Sequence, residues 1–237
     1  MKNTVSTICF FVAIIFFSVT TYSQQYQPRI RQLEKSFLAK PTDYTNYENL
    51  CLLVSEHYTQ LNIAERKEIR DFLSVNAHFS NIHIVPPKEP GQPITIKGTV
   101  KDAKGNPLKN IRLFIFHTDA RGYYAPTDSA TKRMNEPDPR LFGYVTTDKD
   151  GRYTFETIHP GTYPNKYEGR FIPQHIHIQI VEKGYEPFSI QMAFEDDPAM
   201  KDQYWKDWAV KQKFPVTRFI RTGNILTGNY DIILVKE

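Results

Sequence analysis

The sequence has 237 residues, of which 40% are hydrophobic and 24% are charged, and its formal net charge is +4. These values are typical of a globular protein that buries a sizeable core. Acidic and basic residues are mixed along the chain, without a basic block or a face of interleaved aromatic and basic residues. We therefore expect no nucleic-acid partner.

The N-terminus has the pattern of a secretory signal. Lys2 supplies a positive charge, residues 8–19 are nearly all apolar, and the small residues Thr21 and Ser23 stand at the positions that a signal peptidase reads. The apolar run is shorter than the roughly 20 residues that span a bilayer. We expect cleavage of residues 1–23, a secreted or periplasmic protein and no membrane span afterwards; the alternative is an uncleaved N-terminal anchor. Cleavage leaves Cys51 as the only cysteine, which excludes a disulfide framework.

Residues 24–90 are predicted to form a helical segment that ends in a proline-rich linker. Asn62, three residues before Glu65, has the pattern of a capping box that starts a second helix. Residues 86–93 are rich in proline and mark a boundary near residue 90. The first helix is indicated by apolar residues at three- and four-residue spacing, namely Leu50, Leu53, Val54, Tyr58 and Leu61.

Residues 91–237 are predicted to form one antiparallel β-sandwich. Short alternating segments are separated by turn signals and have no helical pattern between them, which favours this mainly β fold over an α/β fold. The predicted strands are 94–100, 111–116, 142–146, 153–157, 175–181, 188–193 and 230–235.

His175 and His177 are the strongest local signal for a metal. Residues two apart on a strand point to the same face, so both imidazoles can reach a single ion. Alone, such a pair is more often structural than metal-binding. A zinc hydrolase built on this pair is an alternative, but it lacks a third ligand of the helical His-Glu-x-x-His type.

Several sequence blocks follow one another in order from about Ile94 to the C-terminus. They are GTVKD at 98–102, GYY at 122–124, TTDKDGRYTF at 146–155, IHPGTYP at 158–164, PQHIH at 173–177 and YDIIL at 230–234. In residues and spacing, these blocks together resemble the intradiol ring-cleavage dioxygenase family, which includes the protocatechuate 3,4- and catechol 1,2-dioxygenases. Because several separate blocks agree, they indicate the family far more specifically than the histidine pair does alone.

The resemblance implies that Tyr124, Tyr163, His175 and His177 bind a non-haem iron(III) ion. Tyr124 would be the phenolate that the substrate displaces, and Tyr163 the one that stays. Tyr123 is a rival for the first role, but the family order glycine-x-tyrosine selects Tyr124. Hard phenolate oxygens suit a ferric ion better than imidazoles alone. Two phenolates and one hydroxide also balance its three positive charges.

The implied reaction is cleavage of a catechol-type ring by O2 between the hydroxyl-bearing carbons, which incorporates both oxygen atoms and gives a muconate-type diacid. One position departs from the family, because Ile172 stands where an arginine is usual, three residues before the first histidine. Arg170 would share a face with Ile172 on a regular strand, so it is the predicted substitute for stabilising negative charge; the alternative is that Arg170 is a solvated loop residue and the reaction lacks this help.

Two further functional alternatives remain open at this point. One is a non-enzymatic module of the transthyretin-like or carboxypeptidase-regulatory type, which shares the opening block at 98–107. The other is an iron-binding relative with lost or altered turnover, suggested by Ile172. By analogy with catechol dioxygenases, we expect the N-terminal helices to cover a face of the sandwich or to pair two subunits in a homodimer.

Overall fold

The computed structural model describes residues 25–131 and 134–237. The predicted secretory signal, residues 1–23, lies outside the described residues. Across the part of the chain that is described, no helix combines the length and the apolar character needed to cross a membrane. Cys51 is a buried free thiol.

Three helices form the N-terminal part of the described chain: α1 (Gln27–Ala39), α2 (Tyr44–His57) and α3 (Ile63–Asn76). The predicted capping box opens α3. The Asn62 side chain accepts a hydrogen bond from the Glu65 amide (3.0 Å), and the Glu65 carboxylate accepts one from the Asn62 amide (2.9 Å). Helix α1 was not predicted, because only Ile30 and Phe37 of its residues are buried and its apolar stripe is thin.

Two main sheets and one hairpin carry the strands. The first sheet contains β1 (Asn81–His83), β2 (Pro93–Asp102), β5 (Arg152–Ile158), β11 (Phe219–Thr222), β12 (Ile225–Asn229) and β13 (Ile232–Leu234). The second has the order β10-β9-β8-β3-β4 and contains β3 (Arg112–His117), β4 (Leu141–Thr146), β8 (His175–Ile180), β9 (Phe188–Phe194) and β10 (Val216–Thr217). The hairpin pairs β6 (Lys166–Tyr167) with β7 (Arg170–Phe171).

The sheets are mixed, so the prediction of a purely antiparallel arrangement is wrong. Strand β1 runs parallel to β5, β10 runs parallel to β9, and both β12 and β13 run parallel to β2. Apolar alternation fixes which face of a strand is buried, but it does not fix the strand's direction. Each parallel pair joins strands separated by long stretches of chain, where no hairpin imposes an antiparallel partner.

One hydrophobic core joins the helices to both sheets. It includes Phe37 and Leu50 from the helices, Ile96 and Phe155 from the first sheet, and Ile178 from the second. Burying a side chain of this kind stabilises the fold by about 1.5–3 kcal/mol. Strand β1 precedes the predicted boundary near residue 90, yet it pairs with β5 of the first sheet.

Three short helical elements lie between strands of the second half of the chain: α4 (Asp128–Thr131), a 3-10 helix (Pro198–Lys201) and α5 (Gln203–Gln212). A small separate cluster forms where the last two meet β9, and it contains Met200, Trp205 and Ala209 together with Ala193. These elements border the candidate site.

Candidate metal centre

Two loops and one central strand supply the four predicted ligands. Tyr124 lies in the loop between β3 and α4, and Tyr163 lies in the segment that follows β5. His175 and His177 lie on β8, which is hydrogen-bonded to β3 on one side and to β9 on the other. The two-residue spacing on β8 directs both imidazoles to one face of the sheet.

The four side chains converge on one point. The Tyr124 and Tyr163 hydroxyl oxygens are in direct contact. Tyr124 Oη lies 2.6 Å from His177 Nε2, and Tyr163 Oη lies 2.9 Å from His175 Nε2. The two Nε2 atoms are 3.2 Å apart. All four residues are 1–9% exposed, so the structure brings the predicted set together in a buried position.

Two glycines allow the tyrosine-bearing loops to approach so closely. A Cβ atom on Gly122 would lie 2.0 Å from the Thr162 carbonyl oxygen, and one on Gly161 would lie 2.4 Å from the Ala120 carbonyl oxygen. Gly122 also has φ of +86°, a conformation that favours glycine. The Gly161 amide donates a 2.8 Å hydrogen bond to the carbonyl of Asp119. The glycine in each block is therefore required by the loop contact.

Asp128 fixes the backbone that carries Tyr124. Its buried carboxylate accepts hydrogen bonds from the amides of Tyr124 (3.1 Å), Ala125 (3.0 Å) and Asn135 (3.1 Å). The sequence interpretation missed this residue. An aspartate four residues after a tyrosine has no distinctive pattern, and the contact depends on how the loop folds back.

The histidine ring nitrogens are arranged to offer lone pairs to the cluster. His175 Nδ1 lies 2.7 Å from the Pro173 carbonyl oxygen, so Nδ1 carries the proton and donates it, which leaves Nε2 free to bind. Burial lowers the pKa of His175 to about 4, and burial also lowers the pKa of His177. Both rings are therefore neutral near pH 7, as metal ligation requires.

Phe116 holds the second histidine from the neighbouring strand. Its ring stacks on that of His177 with centroids 4.4 Å apart and planes 3° apart. On the other side, His177 Nδ1 lies 3.8 Å from a carboxylate oxygen of Glu136. A third buried histidine, His117, does not join the cluster, because its nitrogens contact the Thr118 carbonyl (2.7 Å) and the Thr157 hydroxyl (2.6 Å).

The donor set fits a ferric ion. Burial raises the pKa of both Tyr124 and Tyr163, so neither phenol ionises near neutral pH by itself. A bound cation reverses this preference, because it stabilises the phenolate directly. Two hard oxygen donors beside two imidazole nitrogens match the preference of iron(III).

Arg170, the predicted catalytic arginine, is not brought into the cluster. Its Nε donates a 3.1 Å hydrogen bond to the Asp202 carboxylate, and its guanidinium lies 4.6 Å from the centre of the Tyr204 ring. The regular strand on which Arg170 and Ile172 would share one face does not form, because β7 ends at Phe171.

An apolar cavity of about 210 Å³ adjoins the cluster. Tyr163 and His175 line it, and so does Ile172. Arg170 instead lines a neighbouring pocket beside Asp202. The sequence interpretation assigned Trp205 and Trp208 only to packing, although both also line this cavity.

Comparison with known proteins identifies the family. The family model described as Dioxygenase matches residues 76–234. The chain belongs to the dioxygenase family. Chlorocatechol 1,2-dioxygenase of Rhodococcus opacus is 33% identical over 124 residues, which are 46% of this chain and 46% of that protein. The chain spans about half the length of the curated relatives it matches.

Solved structures show the same relationship. The dioxygenase domain of a dioxygenase–carbohydrate-binding fusion from Streptomyces sp. SirexAA-E is 26% identical, with a TM-score of 0.51 over 67% of this chain and 90% of that domain. The 3-chlorocatechol 1,2-dioxygenase of Rhodococcus opacus shares the fold, with a TM-score of 0.54, 19% identity and coverage of 89% of this chain and 96% of that one.

The family assignment confirms the enzyme class that the sequence predicted. The matched family and its relatives are intradiol ring-cleavage dioxygenases, which are oxidoreductases, as the resemblance implied. Enzymes of this family use non-haem iron and cleave catechol-type rings. The mixed sheets, with helices before them, are consistent with the mainly β fold of such enzymes.

Proposed function

We propose that this protein uses a non-haem iron(III) ion and O2 to cleave a catechol-type ring between its two hydroxyl-bearing carbons, giving a muconate-type diacid. One observation carries the proposal: two phenol oxygens and two imidazole Nε2 atoms meet within hydrogen-bonding distance of one another in a buried position. Such a set suits a hard trivalent cation and has no evident purpose in a simple binding module.

Each of the four residues would have a distinct part in this function. Tyr163, His175 and His177 would hold the ion, and Tyr124 would be the phenol that gives way to the substrate. When bound, ferric iron makes the catecholate electron-rich enough to react with O2. A catechol dianion carries the same charge as one phenolate plus one hydroxide, so its binding would leave the net charge unchanged in a site where an unbalanced charge is costly. The Tyr124 phenolate oxygen would accept one of the two catechol protons, and the hydroxide would accept the other and leave as water.

Iron content and colour test the proposal. Protein loaded with iron(III) is expected to bind about one equivalent and to turn reddish-brown, because phenolates transfer charge to ferric iron. Tyr163→Phe is expected to weaken or abolish this absorption. Tyr144→Phe removes a hydroxyl from another buried tyrosine and is expected to leave the absorption unchanged. A colourless, iron-free protein after loading would reject the proposal.

Turnover separates the oxygenase from an inert relative that only binds iron. Oxygen uptake with catechol, protocatechuate and hydroxyquinol is expected for at least one substrate, with one O2 consumed per ring cleaved. Coloured protein that consumes no oxygen with any catechol would favour the iron-binding relative. The family assignment favours either of these over the transthyretin-like module.

We also propose the organisation of the whole protein. Residues 1–23 are a cleaved secretory signal, residues 24–90 a helical segment with a linker, and residues 91–237 a β-sandwich. Inner residues of both sheets share one core, which supports the sandwich. Secretion is tested by the N-terminal sequence of the exported protein. The predicted homodimer, paired through the helices, is tested by sedimentation, where a monomer at micromolar concentration would contradict it.

A further inference from the structure

We infer that the cavity beside the cluster selects a one-ring catechol whose substituent is small, uncharged and apolar, and that it rejects catechols bearing a ring carboxylate. The inference rests on the proposed function, because it concerns the substrate of the same site. The position of the cavity, the packing of its wall and its charge each support this substrate class.

The cavity is placed to receive the ring of a molecule bound at the cluster. Tyr163 and His175 form part of its lining, so a ligand within it contacts two of the four converging residues. Its volume of about 210 Å³ is below the roughly 300 Å³ at which sites for drug-sized ligands begin. The space therefore suits one ring with a small substituent.

The part of the wall that α5 and Phe214 supply is apolar and well packed. Trp205 and Ala209 of α5 are 5% and 4% exposed. The Trp205 ring meets the Trp208 ring edge-on at 5.6 Å, and Trp208 meets Phe214 at 4.9 Å. Rings that brace one another in this way cannot easily move apart. A methyl group placed against this wall is expected to increase affinity about fourfold, from the transfer of one carbon out of water.

The charge in the cavity excludes an anionic substituent. Of the described residues that line it, Glu136 is charged and none is a lysine or an arginine. Arg170 cannot supply the missing cation, because it is paired with Asp202 in the neighbouring pocket. A ring carboxylate would lose its hydration without gaining a partner, and it would enter the same cavity as the Glu136 carboxylate. The expected loss of affinity is on the order of a hundredfold.

The tryptophans provide a direct readout of binding. The chain contains two tryptophans, Trp205 and Trp208, and both line this cavity. Intrinsic tryptophan fluorescence therefore reports on ligands that enter it. Iron-loaded protein in oxygen-free buffer is titrated with catechol, 4-methylcatechol and protocatechuate. The last two differ only in a methyl or a carboxylate group at one ring position.

The inference predicts that 4-methylcatechol binds about fourfold more tightly than catechol and that protocatechuate binds at least about tenfold more weakly than either. Protocatechuate binding within threefold of 4-methylcatechol, or more tightly, would overturn the inference while leaving the proposed function intact. Failure of all three to alter either the fluorescence or the visible absorption of the iron-loaded protein would overturn the proposed function as well.

Gln191 offers a matched pair of variants. It lies on β9 opposite His177 and lines the cavity with an uncharged amide. Gln191→Lys introduces the missing cation and is expected to raise the affinity for protocatechuate at least tenfold relative to 4-methylcatechol. Gln191→Met has a similar size and no charge, and should leave this ratio within twofold of the wild-type value. Equal ratios in the two variants, with both proteins folded, would contradict the electrostatic argument.

Discussion

The guanidinium of Arg66 on α3 lies 2.6 Å from the carboxylate of Asp138, which precedes β4, and both side chains are buried. Arg70, one helical turn further, forms an ion pair with the other carboxylate oxygen at 2.5 Å. Tyr58 donates a 2.7 Å hydrogen bond to the Asp138 carbonyl. The N-terminal helices thus hold the loop that carries Glu136 into the cavity wall.

Loss of this buried charge cluster is expected to destabilise the fold strongly. Asp138→Asn leaves two buried guanidinium groups without a counter-charge, and we predict a loss of about 3–5 kcal/mol in the free energy of unfolding, measured by urea denaturation. Asp71→Asn is the control, since it removes the partner of Lys67 in an exposed ion pair on the same helix. Its cost is expected to be below about 1 kcal/mol. Similar costs for both variants would contradict the assignment.

The Asp138 carboxylate also makes the free energy of unfolding depend on pH. Burial alone would raise the pKa of Asp138, but the hydrogen bond from Arg66 and the charge of Arg70 outweigh it and hold the pKa below its usual value. The folded state therefore binds this proton less readily than the unfolded chain. The ionised Asp138 carboxylate therefore stabilises the fold fully above roughly pH 3.9, its pKa in the unfolded chain. This stabilisation is lost as the pH falls towards the lower pKa of Asp138 in the folded protein.

We accordingly predict that the unfolding free energy of the wild-type protein decreases from about pH 5 downwards and that Asp138→Asn decreases less steeply over the same range. Urea denaturation at a series of pH values measures both curves. Parallel curves for the two proteins would show that Asp138 is not the group responsible.

Gly122 is expected to tolerate no side chain. Gly122→Ala would place its Cβ 2.0 Å from the Thr162 carbonyl oxygen and force apart the loops that carry the two tyrosines. Gly105→Ala is a matched control, because Gly105 has the same φ of +86° with nothing within 4 Å of the added atom. Both variants bear the backbone strain of about 1–2 kcal/mol, but only Gly122→Ala should lose iron binding as well. Retention of full iron content by Gly122→Ala would argue against the loop contact.

Phe116 is predicted to position His177 for binding. Phe116→Leu removes the stacked ring and is expected to weaken iron(III) affinity about tenfold, as changes behind a metal ligand commonly do. Phe114→Leu makes the same substitution on β3, where the ring stacks on Tyr144 at 4.8 Å instead of on a ligand. Competition with an iron chelator measures both affinities. If both substitutions lower the iron(III) affinity equally, Phe116 only packs in the core and does not position His177.

The predicted catalytic role of Arg170 also has a direct test. Because its guanidinium is bound to Asp202 and lines another pocket, we expect Arg170→Ala to change kcat less than about threefold, against a loss of 10²–10³ when a donor that stabilises developing charge is removed. The visible spectrum of the iron-loaded protein serves as the control for an intact centre. A hundredfold fall in kcat with an unchanged spectrum would restore Arg170 as the substitute for the family arginine.

The four candidate metal ligands were the part of the site most accessible to sequence reasoning. The spacing of His175 and His177 follows from strand geometry, and the resemblance supplied Tyr124 and Tyr163. Contacts that depend on tertiary folding were not accessible. Arg66 and Asp138 are 72 residues apart, and an arginine and an aspartate at that separation carry no pairing signal in one sequence.

The same limit explains the errors in the predicted fold. The direction of β12 and β13 relative to β2 depends on how the chain returns from α5, whereas apolar alternation records only the buried face. The interpretation of Arg170 assumed a strand that continues to Ile172, but Pro173 lies between that segment and β8 and supplies no amide hydrogen for strand pairing. Local periodicity is informative only as far as the regular element extends.

The strand that holds the two histidines has hydrogen-bonded neighbours on both sides, whereas Tyr124 belongs to a loop. The backbone of β8 cannot shift without breaking hydrogen bonds on both sides, whereas Tyr124 is not part of a sheet. The candidate centre thus has a rigid half, which carries His175 and His177, and a less constrained half, which carries Tyr124. Amide hydrogen exchange should be slow along β8, and under the proposed function Tyr124 belongs to the half that gives way when substrate enters.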